Sequence, residues 1–386
     1  MQKSRIAITV LCLAMLGATA GCSSLNPFAK KPSTRDLPAP LVDFQQTLPV
    51  HTAWTASVGK ADSYTFSPAL AGNALFAAAA DGTITKLDLA TGHKIWQIDA
   101  GMPLTAGVGT DGDTIAVVGR GGVVLAFDGQ GKLRWKVQAP SEVLSAPAVG
   151  GGMVVVRSLD NSVIGLDEES GARKWLVQRS TPALSLRTAP GITIDGGMAY
   201  VGLAGGRLLA LTLNNGGTRW ELPVGDPRGT TDLERIADIS GAPVIAGHNV
   251  CAVSYQGRIA CIDAASGQGV WWKNFSSVVG LGIDEGRIYA SDAHGSLNAF
   301  TRDAGVSLWR NNQLTNRSLS APVSSSTAVA VGDYQGYVHF FAPQDGVMLA
   351  RVPTDGSAIV AAPLYADGKF IFQTQAGTVA AITAGN

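Results

Sequence analysis

The sequence predicts an all-β fold, an eight-bladed β-propeller of four-stranded antiparallel blades. A pattern of about 40 residues recurs eight times, which is the signature of a repeat architecture. Its first copy runs from a tight turn at Asp81-Gly82 through Leu87-Asp88 and Thr91-Gly92 to Trp96. Each repeat reads as a four-stranded meander, and the two ends of the chain hold complementary parts of one blade. The tight-turn position recurs at Gly122, Asn161, Gly206, Gly257, Gly295, Gly336 and Gly377.

The third repeat, residues 145–175, illustrates the four strands. An apolar run over 153–156 predicts a buried strand, and Asp160-Asn161 is a pair that favours a hairpin turn with positive φ. A further strand follows over 162–167, and Ser170-Gly171 turns the chain toward the strand that holds Trp175. Such a meander is the blade of a β-propeller.

The tryptophans mark the fourth strand of the repeats. In the first six repeats a tryptophan follows the tight turn by 13 or 14 residues. In the seventh repeat Arg351 stands in its place, 15 residues after Gly336, and at the start of the chain Trp54 has no turn before it. We expect these aromatics to belong to the core of each blade. All eight tryptophans lie at or beside repeat positions: Trp54, Trp96, Trp135, Trp175, Trp220, Trp271, Trp272 and Trp309.

The two ends of the chain are predicted to close the ring. The eighth repeat, about 358–382, has three strands before the chain ends, and residues 52–58 carry Trp54 with no turn before it. We expect residues 52–58 to complete the last blade, because an open array would leave exposed strand edges.

The first 21 residues read as a signal peptide. Lys3 and Arg5 precede an apolar stretch of about 15 residues, which is too short to span a bilayer. The sequence Ala-Gly-Cys at Cys22 resembles a bacterial lipobox, which implies a lipidated N-terminal cysteine, and Ser23 after it implies transfer to the outer membrane. We expect residues 22–50 to be a flexible tether and 51–386 a single propeller domain. The alternative is a secreted protein in which Cys22 is incidental.

Composition and cysteine spacing exclude several classes of protein. A formal net charge of zero does not fit a nucleic-acid binder, and no Cys/His spacing suggests a metal site. Cys251 and Cys261 flank one predicted hairpin turn, where a disulfide is possible in an oxidising compartment. Whether they pair depends on the register of the two strands, so both outcomes stay open.

Two connections between blades are longer than the rest. From each aromatic to the next tight turn the spacing is usually 24 to 28 residues, but it is 31 after Trp175 and 37 after Trp220. Long loops on a rigid scaffold are where binding sites usually lie. We expect the two loops to lie side by side and to form a protein-binding patch of apolar, Arg and carboxylate side chains. The residues that they present are Leu184, Leu186 and Arg187 in the first, and Asp232, Glu234, Arg235 and Asp238 in the second. In the alternative, the leucines only cover blade edges and Arg187 pairs locally with Asp238.

The repeats resemble the quinoprotein-type propeller repeat, which dehydrogenases and non-enzymatic propellers share. The lipoprotein start and the segments 182–187 and 231–239 resemble, more specifically, the BamB family of propeller lipoproteins in the outer-membrane β-barrel assembly machinery. The resemblance covers the mature chain. It implies a non-enzymatic scaffold without a cofactor that binds the periplasmic domains of the barrel-inserting subunit and assists unfolded barrel clients. The family's partner-binding positions carry over to Leu184, Leu186, Arg187 and Asp238, while Ser240 falls where the family often has a second Asp.

Three further hypotheses accompany this interpretation. The outer strands of the blades could bind clients by β-augmentation. A quinone-cofactor dehydrogenase is the enzymatic alternative, but the chain has no vicinal cysteine pair, and its repeated aspartates are better explained as turn caps. These aspartates are Asp88, Asp128, Asp167 and Asp263. A periplasmic propeller that binds a sugar or a peptide is the remaining alternative.

Overall fold

The chain forms eight four-stranded antiparallel sheets, which confirms the predicted eight-bladed propeller. The structure is a computed structural model that describes residues 37–186, 190–225 and 227–385. The first strand is β1 (Val50–Ser57). Blade 1 is β2 (Ala69–Ala71), β3 (Ala74–Ala78), β4 (Thr83–Asp88) and β5 (Lys94–Asp99), and blade 2 is β6 (Gly109–Thr110), β7 (Thr114–Gly119), β8 (Val123–Asp128) and β9 (Leu133–Gln138), with a 3₁₀ turn at Arg120–Gly122.

The middle blades follow the same meander. Blade 3 is β10 (Ala148–Gly150), β11 (Met153–Arg157), β12 (Ser162–Asp167) and β13 (Arg173–Gln178). Blade 4 is β14 (Ile192–Asp195), β15 (Met198–Gly202), β16 (Arg207–Thr212) and β17 (Thr218–Pro223). Blade 5 is β18 (Ile239–Ala246), β19 (Asn249–Ser254), β20 (Gly257–Asp263) and β21 (Gly269–Phe275).

The last blades bring the chain back to its start. Blade 6 is β22 (Leu281–Ile283), β23 (Arg287–Ser291), β24 (Leu297–Thr301) and β25 (Ser307–Asn311). Blade 7 is β26 (Val323–Ser324), β27 (Val329–Gly332), β28 (Tyr337–Phe341) and β29 (Met348–Pro353). Blade 8 combines β30 (Leu364–Ala366), β31 (Lys369–Gln373) and β32 (Thr378–Ala384) with β1. Among the described residues, no helix is long and apolar enough to cross a membrane.

The repeated aspartates cap the turn between the third and fourth strands, as predicted. The Asp88 carboxylate accepts hydrogen bonds from the amide and hydroxyl of Thr91, at 2.9 and 2.6 Å. The Asp167 carboxylate accepts the same pair of bonds from Ser170, at 2.9 and 2.6 Å. These bonds lower the pKa of Asp167 to about 2. A short acidic side chain at the end of the third strand therefore fixes the turn locally.

A tryptophan joins each blade to the next at seven of the eight junctions. Its indole N–H donates to a backbone carbonyl in the following blade, as from Trp175 to Leu213 O at 2.8 Å. The ring also lies against the turn glycine of that blade, where a Cβ on Gly216 would approach Trp175 to 2.8 Å. The tryptophan of the preceding blade therefore leaves no room for a side chain at this turn position, which explains the glycine there. The other six donors are Trp54, Trp96, Trp135, Trp220, Trp271 and Trp309.

The ring closes as the sequence predicts. Strand β1 pairs antiparallel with β32 from Val50 opposite Ala384 to Ser57 opposite Thr378. The tryptophan of this strand, Trp54, donates to Leu89 O in blade 1 at 3.1 Å. The two ends of the chain thus form one blade, and that blade is packed on its neighbour like the others.

The junction between blades 7 and 8 lacks this tryptophan contact, and the expectation that Arg351 stands at the tryptophan position is wrong. In the other blades the tryptophan pairs with the last third-strand residue before the bulge. In blade 7 that third-strand residue is Phe340 and its partner is Ala350, so Ala350, not Arg351, occupies the tryptophan position. Blade 8 takes its fourth strand from the other end of the chain, so it has no covalent turn for an indole to pack on. Phe340 and Phe370 fill this junction in a T-shaped contact, with ring centroids 5.3 Å apart.

Residues 38–49, here called the strap, correct the prediction of a flexible tether over 22–50. The strap packs along the outer edge of blade 7, where the amide of Thr47 donates to Leu349 O at 2.9 Å. Arg351 donates to Val42 O at 3.0 Å and lies 5.2 Å from the centre of the Phe44 ring. The strap therefore belongs to the propeller. Residues 1–36, with Cys22, lie outside the described residues, and their lipidation stays a prediction.

A buried ionic cluster in blade 7 fixes the start of the strap. Asp333 and His339 are fully buried and Arg317 is 2% exposed. The Asp333 carboxylate accepts from Arg317 Nε at 2.7 Å and pairs with His339 Nε2 at 2.9 Å. Arg317 also donates to Ala39 O at 3.0 Å, so the cluster reaches the strap.

The question of the two cysteines is settled by the register of blade 5. Cys251 on β19 lies directly opposite Cys261 on β20, and the two sulfurs are joined in a disulfide. Both residues are fully buried. The bridge therefore links two neighbouring strands of one blade.

Candidate functional site

The two long connections meet on one rim of the propeller, as predicted. The first connection, residues 179–191, joins blade 3 to blade 4, and the second, residues 224–238, joins blade 4 to blade 5. They touch through the backbone amide of Leu186, which donates to Asp238 Oδ2 at 2.7 Å. We call residues 182–186 loop A and residues 227–238 loop B. The rim is the one that also carries the tight hairpin turns of the blades.

Loop A presents an apolar side chain to solvent. Leu184 is 47% exposed, and Leu186 is half-buried. Arg187 lies outside the described residues, so its place in the patch stays a prediction. The blade 3 hairpin holds the start of the first connection, because Asn161 Nδ2 donates to Ser180 O at 3.0 Å; it also donates to Ala204 O in the blade 4 hairpin at 3.3 Å.

Loop B folds on itself in a short turn. The Glu234 carboxylate accepts from the amides of Thr230 and Thr231 at 2.9 and 3.1 Å, and the Thr231 hydroxyl accepts from the Glu234 amide at 3.3 Å. This reciprocal arrangement is a capping box. The hydrogen bonds from Thr231 and Thr230 lower the pKa of Glu234. Arg235 donates to Gly229 O at 3.0 Å, which ties the two ends of the turn together.

The tip of loop B is apolar and open to solvent. Leu233 is 68% exposed, the highest exposure of the large hydrophobic side chains at this rim. The residues that follow it turn inward, since Ile236 is 7% exposed and Ala237 is fully buried. Leu184 and Leu233 are thus the large apolar side chains that loops A and B expose, and Arg235 lies exposed in the same loop as Leu233.

Asp238 does not lie on this surface, which corrects the expectation that loop B presents it. Asp238 is 2% exposed, and its two carboxylate oxygens accept from backbone amides of Leu186, at 2.7 Å, and Gly205, at 2.8 Å. Its own carbonyl accepts from the amide of Tyr255 at 2.9 Å. A carboxylate is well suited to this position because it accepts several backbone N–H bonds. Asp238 therefore joins blades 4 and 5 to loop A.

Blade 3 contains a further buried charged residue, which the sequence reading did not single out. Arg157, at the end of β11, is 5% exposed. Burial lowers the pKa of this guanidinium to about 10, although the charges of Asp238 and Asp160 act in the opposite direction. A signal for Arg157 was present in the sequence, since it ends an otherwise apolar strand that begins at Met153. Ser240, at the position of the second family Asp, is also buried, and it donates to Ser277 O at 2.7 Å.

Comparison with known proteins identifies the family. Residues 80–311 and 293–386 match the family described as "Outer membrane protein assembly factor BamB". The protein of that name from Bordetella pertussis is 43% identical over 368 residues, which cover 95% of this chain and 94% of that protein. The crystal structure of BamB from Moraxella catarrhalis superposes with a TM-score of 0.80 at 28% identity, and the match covers 86% of this chain and 99% of that one.

Enzymes share the fold at much lower identity. The quinohemoprotein alcohol dehydrogenase from Comamonas testosteroni superposes with a TM-score of 0.68 at 15% identity, over 86% of this chain and 76% of the enzyme. This likeness concerns the propeller alone. The full-length relatives are named as assembly factors, not as dehydrogenases. The chain belongs to the BamB family of outer membrane protein assembly factors.

Proposed function

We propose that the chain is a non-enzymatic scaffold that binds the periplasmic domains of the barrel-inserting outer-membrane subunit through loops A and B. The observation that carries the proposal is the pair of exposed leucines, Leu184 and Leu233, on two loops that are joined to each other and to the rigid blades. Because the loops are already ordered, binding of a partner does not cost the conformational entropy of fixing them. Arg235, together with Arg187 if it lies in the patch as predicted, adds positive charge at the margin of the apolar contact, where charge favours specificity.

The form of this surface supports a protein partner over a small ligand. Leu184 and Leu233 lie on loops that project from a rim, whereas small-molecule sites are concave. Two cavities of the described residues lie elsewhere. One, of about 280 Å³, is between the strap and blades 6 and 7, and the other, of about 550 Å³, is between blades 5 and 6.

The experiment is a binding titration with the isolated periplasmic domains of the barrel-inserting subunit. We expect Leu184→Ser combined with Arg187→Ala to raise Kd about 100-fold, because hot-spot side chains each contribute roughly 1–2 kcal/mol or more. The matched control is Leu308→Ser on β25, since Leu308 is 44% exposed and lies on blade 6. All variants should unfold at the temperature of the wild type. Equal Kd values for the double variant and the wild type would refute the proposal.

Anchoring and clients complete the proposed role. We propose that Cys22 carries the lipid that holds the scaffold at the periplasmic face of the outer membrane, where several acyl chains would give a stable anchor. The intact mass of the purified protein tests this directly. Binding of unfolded barrel clients by β-augmentation stays a prediction, and the outer edge of β29 is a poor candidate for it because the strap lies there.

A further inference from the structure

Trp272 is the most exposed of the eight tryptophans, so it is not one of the expected core aromatics. It is 48% exposed, whereas Trp271 beside it is 7% exposed and donates its indole N–H to Arg302 O in blade 6 at 2.8 Å. The indole N–H of Trp272 has no hydrogen-bond partner among the described residues. Trp272 therefore presents an apolar ring and a free donor to solvent.

Trp272 also departs from the repeat. It directly follows the structural tryptophan on β21 and lies opposite Ala260 on β20. Most of the other blades place a polar side chain at this position, so the architecture of a blade does not require a second indole there. Tryptophan is enriched among the residues that dominate the binding energy of protein interfaces. The corresponding residues of blades 1, 2, 3, 4, 6 and 8 are Gln97, Lys136, Leu176, Glu221, Arg310 and Thr55.

Blade 5 holds the exposed ring in place. The guanidinium carbon of Arg258 lies 5.1 Å from the centre of the Trp272 ring, within the range of a cation–π contact. A Cβ at Gly269 would overlap the same ring, so the glycine allows the indole to lie against its own strand. The indole is therefore oriented in the free protein, which lowers the entropic cost of binding a partner.

Arg258 joins this ring to the start of the second long connection. Its Nε donates to Val224 O and its Nη2 donates to Pro223 O, both at 3.2 Å. Pro223 ends β17, and the connection that carries loop B begins at Val224. Leu233 lies in that connection, so Leu233 and Trp272 are exposed apolar side chains of the same junction, between blades 4 and 5.

We infer that Trp272 is a further contact residue of the partner site, which thus extends from loops A and B onto the outer strand of blade 5. The inference rests on the proposed function and names the chemistry that this strand recognises. The periplasmic domains of the barrel-inserting subunit pack an apolar side chain on the indole and place an oxygen acceptor at its N–H. The positive charge of Arg258 beside the ring favours a carboxylate as that acceptor.

A binding titration with the periplasmic domains measures what Trp272 contributes. We expect Trp272→Ala to raise Kd about 30-fold, as truncation of a hot-spot tryptophan does. Trp272→Phe keeps an apolar ring but loses the N–H donor, and it should raise Kd about 3-fold to 10-fold. The control is Leu133→Ala on β9 of blade 2, since Leu133 is also 48% exposed, and it should bind like the wild type. A wild-type Kd for Trp272→Ala would overturn the inference.

Fluorine NMR separates direct contact from a role in supporting loop B. The chain is labelled with fluorotryptophan, and the resonance that is missing in Trp272→Phe belongs to Trp272. Its shift should differ between light and heavy water in the free protein, because the ring is exposed. We expect this solvent effect to disappear when the unlabelled domains bind, since the partner then covers the ring. The resonance of the buried Trp271 is the internal control. A Trp272 ring that stays open to solvent in the saturated complex would overturn the inference, and this readout needs only the wild-type chain once the resonance is assigned.

Failure of this inference and failure of the proposed function give different results. If Leu184→Ser with Arg187→Ala weakens binding while Trp272 stays exposed in the complex, the site is confined to loops A and B and the inference is wrong. If Trp272→Ala weakens binding and the ring becomes covered, while the loop variant binds normally, contact at Trp272 is supported and the role of the loops is refuted. A wild type that does not bind these domains refutes both.

Discussion

The repeat is interrupted at two places, and the two interruptions differ in what they expose. At loops A and B the connections lengthen, and leucines are presented to solvent at 47% and 68% exposure. At the junction of blades 7 and 8 the tryptophan is lost, and the replacement is inward: the Phe340–Phe370 contact, the strap and the buried cluster around Asp333. A deviation from a structural repeat thus serves closure when its side chains are buried, and it is a candidate for binding when they are exposed.

Removal of the closing strand β1 should cause the largest loss of stability. A chain that starts at Lys60 lacks β1 and with it Trp54, so it should lose more than about 5 kcal/mol of unfolding free energy, since loss of a buried tryptophan alone costs about 3–5 kcal/mol. A chain that starts at Pro38 keeps β1 and the strap and is the control. Urea unfolding measures both. Equal midpoints would show that closure of the ring does not need the N-terminal segment.

Removal of the buried carboxylate at the blade 7 cluster should have the next largest effect. Asp333→Ala leaves Arg317 and His339 buried without their partner, and we expect a loss of about 3–5 kcal/mol in urea unfolding. Binding of the barrel-inserting subunit should persist where the variant is folded, because the cluster lies away from loops A and B. A variant that keeps full stability but no longer binds would invert the roles assigned to the two regions.

Lowering the pH is a further test of the blade 7 cluster, because the cluster contains a titratable group, His339. Burial holds the pKa of His339 below its usual value of 6.5, and the hydrogen bond and charge of Asp333 only partly offset this effect. The unfolded chain therefore takes up a proton before the folded one does. Stability is full above about pH 6.5 and falls as the pH drops through that value, by at most about 1.4 kcal/mol per pH unit for one proton.

His339→Gln is the matched variant for this pH effect. It can keep a hydrogen bond to Asp333 but does not titrate. The difference in unfolding free energy between wild type and variant, measured from pH 7.5 to pH 5.5, should narrow as the pH falls if the wild type loses its advantage. A constant difference over this range would mean that His339 does not titrate differently in the two states.

The sequence predicts the blades well because each blade is determined by local chemistry. Turn pairs, the capping Asp and the Gly that lies against a tryptophan recur within about 40 residues, so counting finds them. Counting also misplaced one residue: Arg351 was expected at the aromatic position, which the bulge in the outer strand assigns to Ala350. The packing of the strap and the burial of Asp238 depend instead on contacts between residues that are distant in the sequence. The proline-containing strap resembles a linker until Thr47 meets Leu349.

Asp238 illustrates the same limit at the candidate site. A carboxylate in a long, polar connection reads as exposed, and only its 2.7 Å bond to the amide of Leu186, 52 residues earlier, reveals that it is buried. The Gly205 amide, which donates to the same carboxylate at 2.8 Å, belongs to a third segment, the blade 4 hairpin. The position of the site could thus be predicted from loop length, whereas its buried support could not, because three separate segments build it.

Photo-crosslinking in intact outer membranes tests the central claim most directly. A photoreactive amino acid is placed at position 184 or 233 and, as the control of similar exposure to Leu184, at position 308. Crosslinks to the barrel-inserting subunit from positions 184 and 233, but not from 308, are the result that we predict. Crosslinks from position 308 with none from 184 or 233 would contradict the account, because the partner would then bind a regular blade and not the lengthened loops.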